Sequence, residues 1–438
     1  MLWFAPFAWL GHAAPDVLIE TEGGVIIGVQ EGAERPTNAT LLDGFTLPGL
    51  VNAHSHAFHR ALRGATSGRD FWAWRDEMYR LAAILDPERY HALARATYAE
   101  MALAGITTVG EFHYLHREPG GAAYSDPNEM GRALLRAAAD AGIRITLLDT
   151  CYLRGDFDRP LEGPQIRFSD GSAAAWAERV ALFEDQPHAR IGGAIHSVRA
   201  VDQQAISEVA DWAKASGKPL HVHVSEQPAE NERCLAATGL TPTHLLAASG
   251  VWEATATALH ATHTNEDDIG LLGQARARVC VCPTTERDLA DGIGPSSDLA
   301  TAGAQLCVGT DSHARIDLLE EARLLELHER LLTGHRGTFN LEELIRAATV
   351  GGADSLGWSS GRLDPGAPAD FAAFRLDSPR TAGASDQVLG RVLYGAAAAD
   401  LHTTVVAGRI VVREGAHQLV EDPSRELTEA IEEVRART

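Results

Sequence analysis

The sequence has 438 residues, of which 45% are hydrophobic and 22% are charged, a composition typical of globular proteins and not of disordered chains or coiled coils. Its 38 basic and 60 acidic side chains give a formal net charge of −22, which disfavours nucleic acid as a partner. The length favours one large domain with a smaller one, since α/β barrels run to about 250 residues as single domains.

Cysteine usage and hydropathy predict a cytoplasmic protein. The five cysteines form an odd set scattered over a long chain, which differs from the pattern of small secreted disulfide scaffolds. The longest apolar run, residues 1–10, is interrupted by Pro6 and lacks a preceding basic segment. It is also shorter than the roughly 18 residues of a membrane span, so we expect no membrane partner and interpret it as a buried strand.

The character of the sequence changes along the chain and predicts four segments. Residues 1–47 and 361–420 contain short apolar runs separated by turn residues, which predict strands. Residues 48–360 alternate helical stretches with short apolar runs, and residues 421–438 have the pattern of an amphipathic helix. We expect the two strand-rich ends to pair into one small composite β-sandwich.

Helix boundaries in the central segment follow from capping residues. An Asp-Pro pair at 86–87 and another at 126–127 predict helix starts, with Asp as the N-cap and Pro in the first turn. Glycines predict the ends of three helices, at Gly105, Gly142 and Gly217.

Eight apolar runs in the central segment predict the strands of a barrel. Each run is separated from the next by a helical stretch or a loop, as in repeated βα units. The runs are 50–54, 106–109, 143–148, 191–196, 219–224, 256–260, 279–283 and 306–311. We therefore predict an α/β fold, a (β/α)8 TIM barrel with the composite β-sandwich beside it.

Polar residues capable of metal binding and proton transfer follow these strands. In such barrels the active site lies at the carboxyl ends of the strands, and two histidines two residues apart on extended chain point to one face. Each residue alone is equally expected as a hydrogen-bonded side chain of the barrel mouth, but together they have the composition of a metal site. They are His54 and His56, then His221, His223 and Glu226, then His260, then Asp311.

Four motifs resemble the amidohydrolase superfamily, in its deaminase branch: HSH at 54–56, HVHVSE at 221–226, LHATH at 259–263 and GTDSH at 309–313. The resemblance also includes LPGLVNAHSH at 47–56 and covers essentially the whole chain. Longer strings, GEFHYLH at 110–116 and CPTTERDL at 282–289, are similar to those of the superfamily members that deaminate formimidoylglutamate.

The resemblance implies a metal site with one Zn²⁺ per subunit, held by His54, His56, His223 and Asp311. Residues 190–196, the predicted fourth strand, contain no lysine to bridge a second metal. His221 is expected to support a ligand, and the pair Cys280 and Cys282 is expected to pack in the core.

The implied reaction is hydrolysis of N-formimino-L-glutamate to N-formyl-L-glutamate and ammonia. Zinc lowers the pKa of a bound water to about 7, which supplies a nucleophile near neutral pH. Asp311 and His260 are expected to orient that water and accept its proton, and Glu226 to carry a proton to the departing nitrogen. A homodimer is implied by the resemblance alone.

The expected substrate has two carboxylates, for which arginine is the suited partner. The resemblance assigns Arg75 and Arg199 to this task, with Tyr114 and His196 as further hydrogen-bonding groups; Arg287 is a weaker candidate. His59 replaces the Gln of some members, and we expect it to add pH dependence. Other hypotheses are a deaminase or chlorohydrolase of a heterocycle such as guanine, cytosine or a triazine, and a non-catalytic barrel scaffold.

Overall fold

The computed structural model describes residues 1–65, 68 and 71–437. Within them, the strands in chain order are β1 (Leu2–Trp9), β2 (Ala13–Glu22), β3 (Val25–Gln30), β4 (Thr40–Leu41), β5 (Phe45–Pro48), β6 (Leu50–Ser55), β7 (Ile106–His113), β8 (Arg144–Cys151), β9 (Ala189–Ile195), β10 (Leu220–Val224), β11 (Ala256–His260), β12 (Arg278–Val281), β13 (Gln305–Val308), β14 (Phe371–Phe374), β15 (Leu401–Val406), β16 (Arg409–Arg413) and β17 (Ala416–His417).

The α-helices of the same residues are α1 (Phe71–Ile84), α2 (Pro87–Leu103), α3 (Glu129–Ala141), α4 (Ala173–Val180), α5 (Gln203–Ser216), α6 (Pro228–Thr238), α7 (Pro242–Ala248), α8 (Glu266–Gln274), α9 (Pro283–Asp288), α10 (Ser296–Ala302), α11 (Leu318–Thr333), α12 (Leu341–Ala348), α13 (Val350–Ser355), α14 (Val388–Gly395) and α15 (Pro423–Arg435). Short 3₁₀ helices span Ala57–Leu62, Gly163–Phe168, Val251–Glu253, Ser385–Gln387 and Ala398–Asp400.

Strands β6 to β13 form a parallel barrel in sequential order. An isolated parallel bridge between Ser55 and Asp311 joins the ends of the first and last strands, so the sheet nearly closes on itself. Strands β6, β7, β8, β10 and β11 are buried along their whole length, as expected where helices cover a parallel sheet. The predicted (β/α)8 barrel is confirmed, and it brings the carboxyl ends of eight strands together at one mouth.

Most predicted helix boundaries follow the expected caps. Asp86 accepts a hydrogen bond from the backbone N–H of Arg89 and begins α2, and glycines in the left-handed conformation, Gly142 and Gly217, end α3 and α5. The predicted N-cap of α3, Asp126, is wrong by two residues, because the observed N-cap is Asn128. The Asp126 side chain accepts the N–H of Asn128 in a turn, so the helix begins only at Glu129.

Both ends of the chain form a second, mixed sheet. Its order is β17-β16-β15-β14-β5-β1-β2-β3, and β4 pairs with β1. This sheet has its own apolar core, in which the ring of Trp3 lies 5.6 Å from that of Phe371. A buried ion pair, Arg144 Nε to Asp370 Oδ2 at 2.8 Å, links it to the barrel. Residues 1–10 thus contribute a largely buried strand, as predicted.

The last helix packs on the outside of the barrel. Val434 is buried, Leu427 and Ile431 pack against the core, and Glu433 pairs with Arg89 of α2 at 3.1 Å. The predicted final residue of this segment, Thr438, lies outside the described residues. Among the residues described, no helix combines the length and apolarity needed to cross a membrane.

Candidate active site

The four predicted metal ligands meet at the mouth of the barrel. His54 and His56 lie at the end of β6, His223 lies in β10, and Asp311 follows β13. The Nε2 atoms of His54 and His56 are 3.3 and 3.5 Å from Asp311 Oδ1. The ring of His223 is 5.0 Å from that of His54 and 5.7 Å from that of His56, measured between centroids.

Close backbone packing brings Asp311 to the histidines. The N–H groups of Thr310 and Asp311 donate to the carbonyl oxygen of His54 at 3.1 and 3.0 Å. At Gly309, a β-carbon would lie 2.8 Å from the backbone nitrogen of His54, so only glycine allows this approach. Asp311 itself has a φ of 42°, in the left-handed region, which costs free energy and indicates a position that the surroundings enforce.

At least one ring nitrogen of each predicted histidine ligand is not used in a hydrogen bond to the backbone. His56 Nδ1 donates to the carbonyl of Phe112 at 3.0 Å, and His223 Nδ1 donates to that of His196 at 2.9 Å, so each Nε2 is left as an acceptor. Burial lowers the pKa of His54, His56 and His223, which keeps the rings neutral. The Nε2 atoms of His54 and His260 are buried and form no hydrogen bond with described residues. Neutral imidazoles with unused nitrogens fit a metal ion.

A second cluster of titratable side chains shares Asp311 with the predicted metal ligands. It consists of Glu226, His260 and Asp311. His260 Nε2 is 3.9 Å from Glu226 Oε1 and 4.0 Å from Asp311 Oδ2. Burial raises the pKa of Glu226, against the lowering effect of the nearby His260. His260 also lies close to His54 and His223. Its ring is therefore shared between the predicted metal ligands and the acid–base group.

Glu286 orients His260, and sequence reasoning missed it. Its Oε1 lies 3.3 Å from His260 Nδ1 and accepts the backbone N–H of Cys282 at 2.9 Å. Although burial opposes it, the charge of Glu226 and the hydrogen bond to Glu286 raise the pKa of His260. The motif at 282–289 contains this glutamate just after the seventh strand, and that position at the barrel mouth could have marked it as a candidate site residue.

The five predicted substrate-binding residues line one cavity. This cavity opens at the barrel mouth and also includes Glu226 and Asp311. Its predicted members are His59, Arg75, Tyr114, His196 and Arg199. The structure therefore brings the expected carboxylate-binding and acid–base residues together around one space.

The two arginines reach this cavity from different elements. Arg75 comes from α1, where its guanidinium lies 4.5 Å from the ring of Trp72 and 5.6 Å from that of Tyr79. Its Nε is buried and makes no hydrogen bond with the part of the chain that is described. Arg199 follows β9 and is half-buried. Guanidinium groups held by ring stacking keep their N–H donors for another partner.

His59 differs from our expectation. Its Nε2 lies 3.1 Å from the hydroxyl of Tyr114, and its ring lies 4.5 Å from that of His56. Burial lowers the pKa of His59 to about 3, so the ring is uncharged at neutral pH. The expected pH dependence from His59 near neutrality is therefore not supported.

Two other polar residues lie away from the cavity. Arg287 is exposed and pairs with Glu320 at 3.2 Å, so the weaker substrate-binding prediction for it is wrong. His221 is buried with its Nε2 3.0 Å from the carbonyl of Ser355, and it joins none of the metal-capable groups among the described residues.

All five cysteines are buried and unpaired.

A further buried cluster consists of His113 in β7, His116 just after β7, and Asp149 in β8. Arg179 donates to both oxygens of Asp149, at 2.7 and 2.9 Å, and the indole of Trp176 donates to one of them at 3.0 Å. A guanidinium already satisfies this carboxylate, so the cluster is an ion-pair network that joins β8 to α4.

A parallel barrel with histidines and an aspartate at its strand ends, beside a sheet built from both chain ends, is the architecture of a metal-dependent hydrolase. The model of the amidohydrolase family matches residues 45–411, and the chain belongs to this family. The match covers the whole barrel and, in the second sheet, β5, β14, β15 and part of β16.

Relatives narrow the class to deaminases. The chain is 36% identical to formimidoylglutamate deiminase of Pseudomonas aeruginosa over 421 residues, 92% of this chain and 91% of the relative. It is 32% identical to 8-oxoguanine deaminase of the same species over 407 residues, 89% of this chain and 88% of the relative. A solved amidohydrolase from Brucella melitensis matches with a TM-score of 0.89 and 30% identity over 99% of both chains. The protein is a deaminase of the amidohydrolase superfamily, a hydrolase acting on carbon–nitrogen bonds.

Proposed function

We propose that this enzyme hydrolyses N-formimino-L-glutamate to N-formyl-L-glutamate and ammonia. The observation that carries the proposal is a single cavity lined both by acid–base residues and by two arginines. The substrate has the matching groups, a formamidine and two carboxylates. Guanidinium groups bind carboxylates through paired hydrogen bonds, and an enzyme for an uncharged heterocycle has no need of two of them.

We propose one Zn²⁺ as the metal, held by His54, His56, His223 and Asp311. Three neutral imidazoles and one carboxylate form a donor set suited to zinc. When bound, such an ion lowers the pKa of a coordinated water to about 7. The absence of a lysine in residues 190–196 favours a single ion.

The proposed roles of the protein side chains follow from their positions. Asp311 and His260 orient the attacking water, Asp311 accepts its proton, and Glu286 holds the His260 ring through Nδ1. Addition of the water oxygen to the formimidoyl carbon gives a tetrahedral adduct. Glu226, whose pKa burial raises, delivers a proton to the departing nitrogen and regains one from the hydroxyl of the adduct, so that the C–N bond breaks, ammonia leaves and the formyl C=O forms.

The carboxylates are proposed to bind Arg75 and Arg199. Tyr114, His196 and His59 add neutral hydrogen bonds, since burial lowers the pKa of both histidines. The chain carries a net charge of −22, but two guanidinium groups at the barrel mouth supply local positive charge for a small dicarboxylate.

The test compares ammonia release by the zinc-loaded enzyme from formimidoylglutamate, guanine, 8-oxoguanine, cytosine and adenosine. We expect turnover of formimidoylglutamate at least about a hundredfold above the bases, because a base leaves both arginines without a partner. Turnover of any base without turnover of formimidoylglutamate would identify a heterocycle deaminase instead. Protein that stays inactive and metal-free after zinc addition would favour the scaffold hypothesis.

A homodimer in the cytoplasm remains a prediction; the five unpaired cysteines agree with a reducing compartment.

A further inference from the structure

Two tyrosine hydroxyl groups lie close to the arginines of the cavity. Tyr79 of α1 and Tyr152, which follows β8, line the same cavity as Arg75 and Arg199. Tyr152 is 3% exposed, and its ring lies 4.5 Å from that of His196. Both side chains therefore border the space that the substrate would occupy.

Gln165 determines how these hydroxyl groups can hydrogen-bond. Its Nε2 donates to the oxygen of Tyr79 and to the oxygen of Tyr152, both at 3.1 Å. Its Oε1 accepts the N–H of Glu162 at 3.0 Å, which fixes the orientation of the amide. An amide NH₂ donates and does not accept, so each tyrosine oxygen is the acceptor and keeps its own hydrogen for another partner.

At least one of these hydroxyl hydrogens is available to a ligand. The hydroxyl groups of Tyr79 and Tyr152 also interact with each other, and this contact uses at most one of the two hydrogens. Arg199 is close enough to interact electrostatically with both phenols. A guanidinium beside a directed neutral O–H provides the charge and the extra donor that a carboxylate binds best.

The same segment holds α1 against the barrel. Arg167, two residues after Gln165, donates to the carbonyls of Ala82 and Leu85 at the end of α1, the second at 2.6 Å. The guanidinium of Arg75 lies over the ring of Tyr79. Gln165 therefore links the donors on α1 to the donor after β8.

We propose that Tyr79 and Tyr152, oriented by Gln165, bind one substrate carboxylate together with Arg199 and so determine the specificity for a dicarboxylate. This inference rests on the proposed function and extends it, because it names the groups that distinguish a carboxylate from an amide at the same position. Tyrosine and glutamine are neutral, so they add directed hydrogen bonds without adding a further charge to the cavity.

The test uses zinc-loaded Tyr79→Phe and Tyr152→Phe with formimidoyl-L-glutamate and its α- and γ-monoamides. In at least one variant, KM for the diacid should rise about tenfold with kcat within about twofold, because a hydrogen bond to a charged group is lost. For the monoamide that lacks the carboxylate bound by the tyrosines, these variants should have the same KM as the unaltered enzyme. Gln165→Leu should raise KM for the diacid about threefold, since the hydroxyls remain but lose their orientation.

Tyr90→Phe is the matched control, because it removes a buried hydroxyl that is outside this cavity. It should leave KM for all three compounds unchanged. An equal loss for the diacid and both monoamides in the Tyr79 and Tyr152 variants would indicate a structural role and overturn the inference. Unchanged KM in both variants, with turnover by the unaltered enzyme, would overturn the inference alone. No release of ammonia from formimidoylglutamate by the unaltered enzyme would overturn the proposed function and this inference with it.

Discussion

The residues at the barrel mouth form two adjoining groups that are held in different ways. The group that we call the metal wall consists of His54, His56, His223, Glu226, His260 and Asp311. The group that we call the carboxylate wall consists of His59, Arg75, Tyr114, His196 and Arg199.

The residues of the metal wall lie on barrel strands or directly after them, and backbone carbonyls hold two of its rings. Those of the carboxylate wall come partly from loops and α1, and stacking holds Arg75. The barrel thus holds the residues proposed for the reaction, and the surrounding segments supply those proposed to bind the carboxylates.

The largest effect is expected on the metal wall. Glu226→Gln should lower kcat about a thousandfold, because a general acid is lost, while zinc content and KM stay near their original values. Steady-state kinetics and metal analysis of the purified variant check this. A variant that keeps kcat within about tenfold would show that Glu226 is not the proton donor.

The opposite pattern is expected on the carboxylate wall. Arg75→Ala or Arg199→Ala should raise KM for formimidoylglutamate roughly 10 to 100-fold, because a charge-assisted pair is lost while the reacting groups stay in place. Arg287→Ala is the control, since that exposed arginine pairs with Glu320 outside the cavity. An equal rise in KM for the control would remove the distinction between the two walls.

A smaller effect on kcat is expected from Glu286, which acts through His260. Glu286→Gln should lower kcat about tenfold and leave KM unchanged, because the His260 ring loses its charged hydrogen-bond partner. Glu321→Gln is a matched control: Glu321 is buried and accepts the N–H of Thr284 at 2.9 Å. If KM rises in the Glu286 variant, its role extends to the substrate and the separation of the walls weakens.

The smallest effect concerns Glu230, where the two walls meet near Arg199 and Glu226. Burial raises the pKa of Glu230 to about 7, against the opposing charge of Arg199. A carboxyl whose pKa is higher in the folded state binds its proton more tightly there, so its contribution to stability falls as the pH rises from about 4.5 to 7.

Glu230→Gln should therefore raise the Tm by a few degrees relative to the unaltered protein at pH 8, and should lose this advantage at pH 5. Thermal unfolding at the two pH values measures the difference. A larger gain at pH 5 than at pH 8 would reverse the sign and contradict the raised pKa.

The metal wall and the barrel were predictable because their signals are local. Apolar runs ending in His or Asp occur at four of the eight predicted strands, and an HxH spacing directs two rings to one face. The capping residues Asp86, Gly142 and Gly217 also act within one turn of chain, and only the turn at Asp126 displaced a helix start.

The contacts that sequence reasoning missed join segments far apart in the chain. Gln165 reaches Tyr79 across 86 residues, and Glu286 reaches His260 across 26. No spacing rule connects such residues, since packing of α1 and α9 on the barrel creates the contacts. Arg75 and Arg199 were predicted only through resemblance, because an isolated arginine has the same pattern as a surface ion pair.

The most direct test of this division is the structure of the zinc-loaded enzyme with a non-hydrolysable formimidoylglutamate analogue. The account predicts the carbon at the formimidoyl position beside Glu226, His260 and Asp311, with the carboxylates at Arg75 and Arg199. An analogue bound in the reverse orientation, or with both carboxylates outside this cavity, would contradict it.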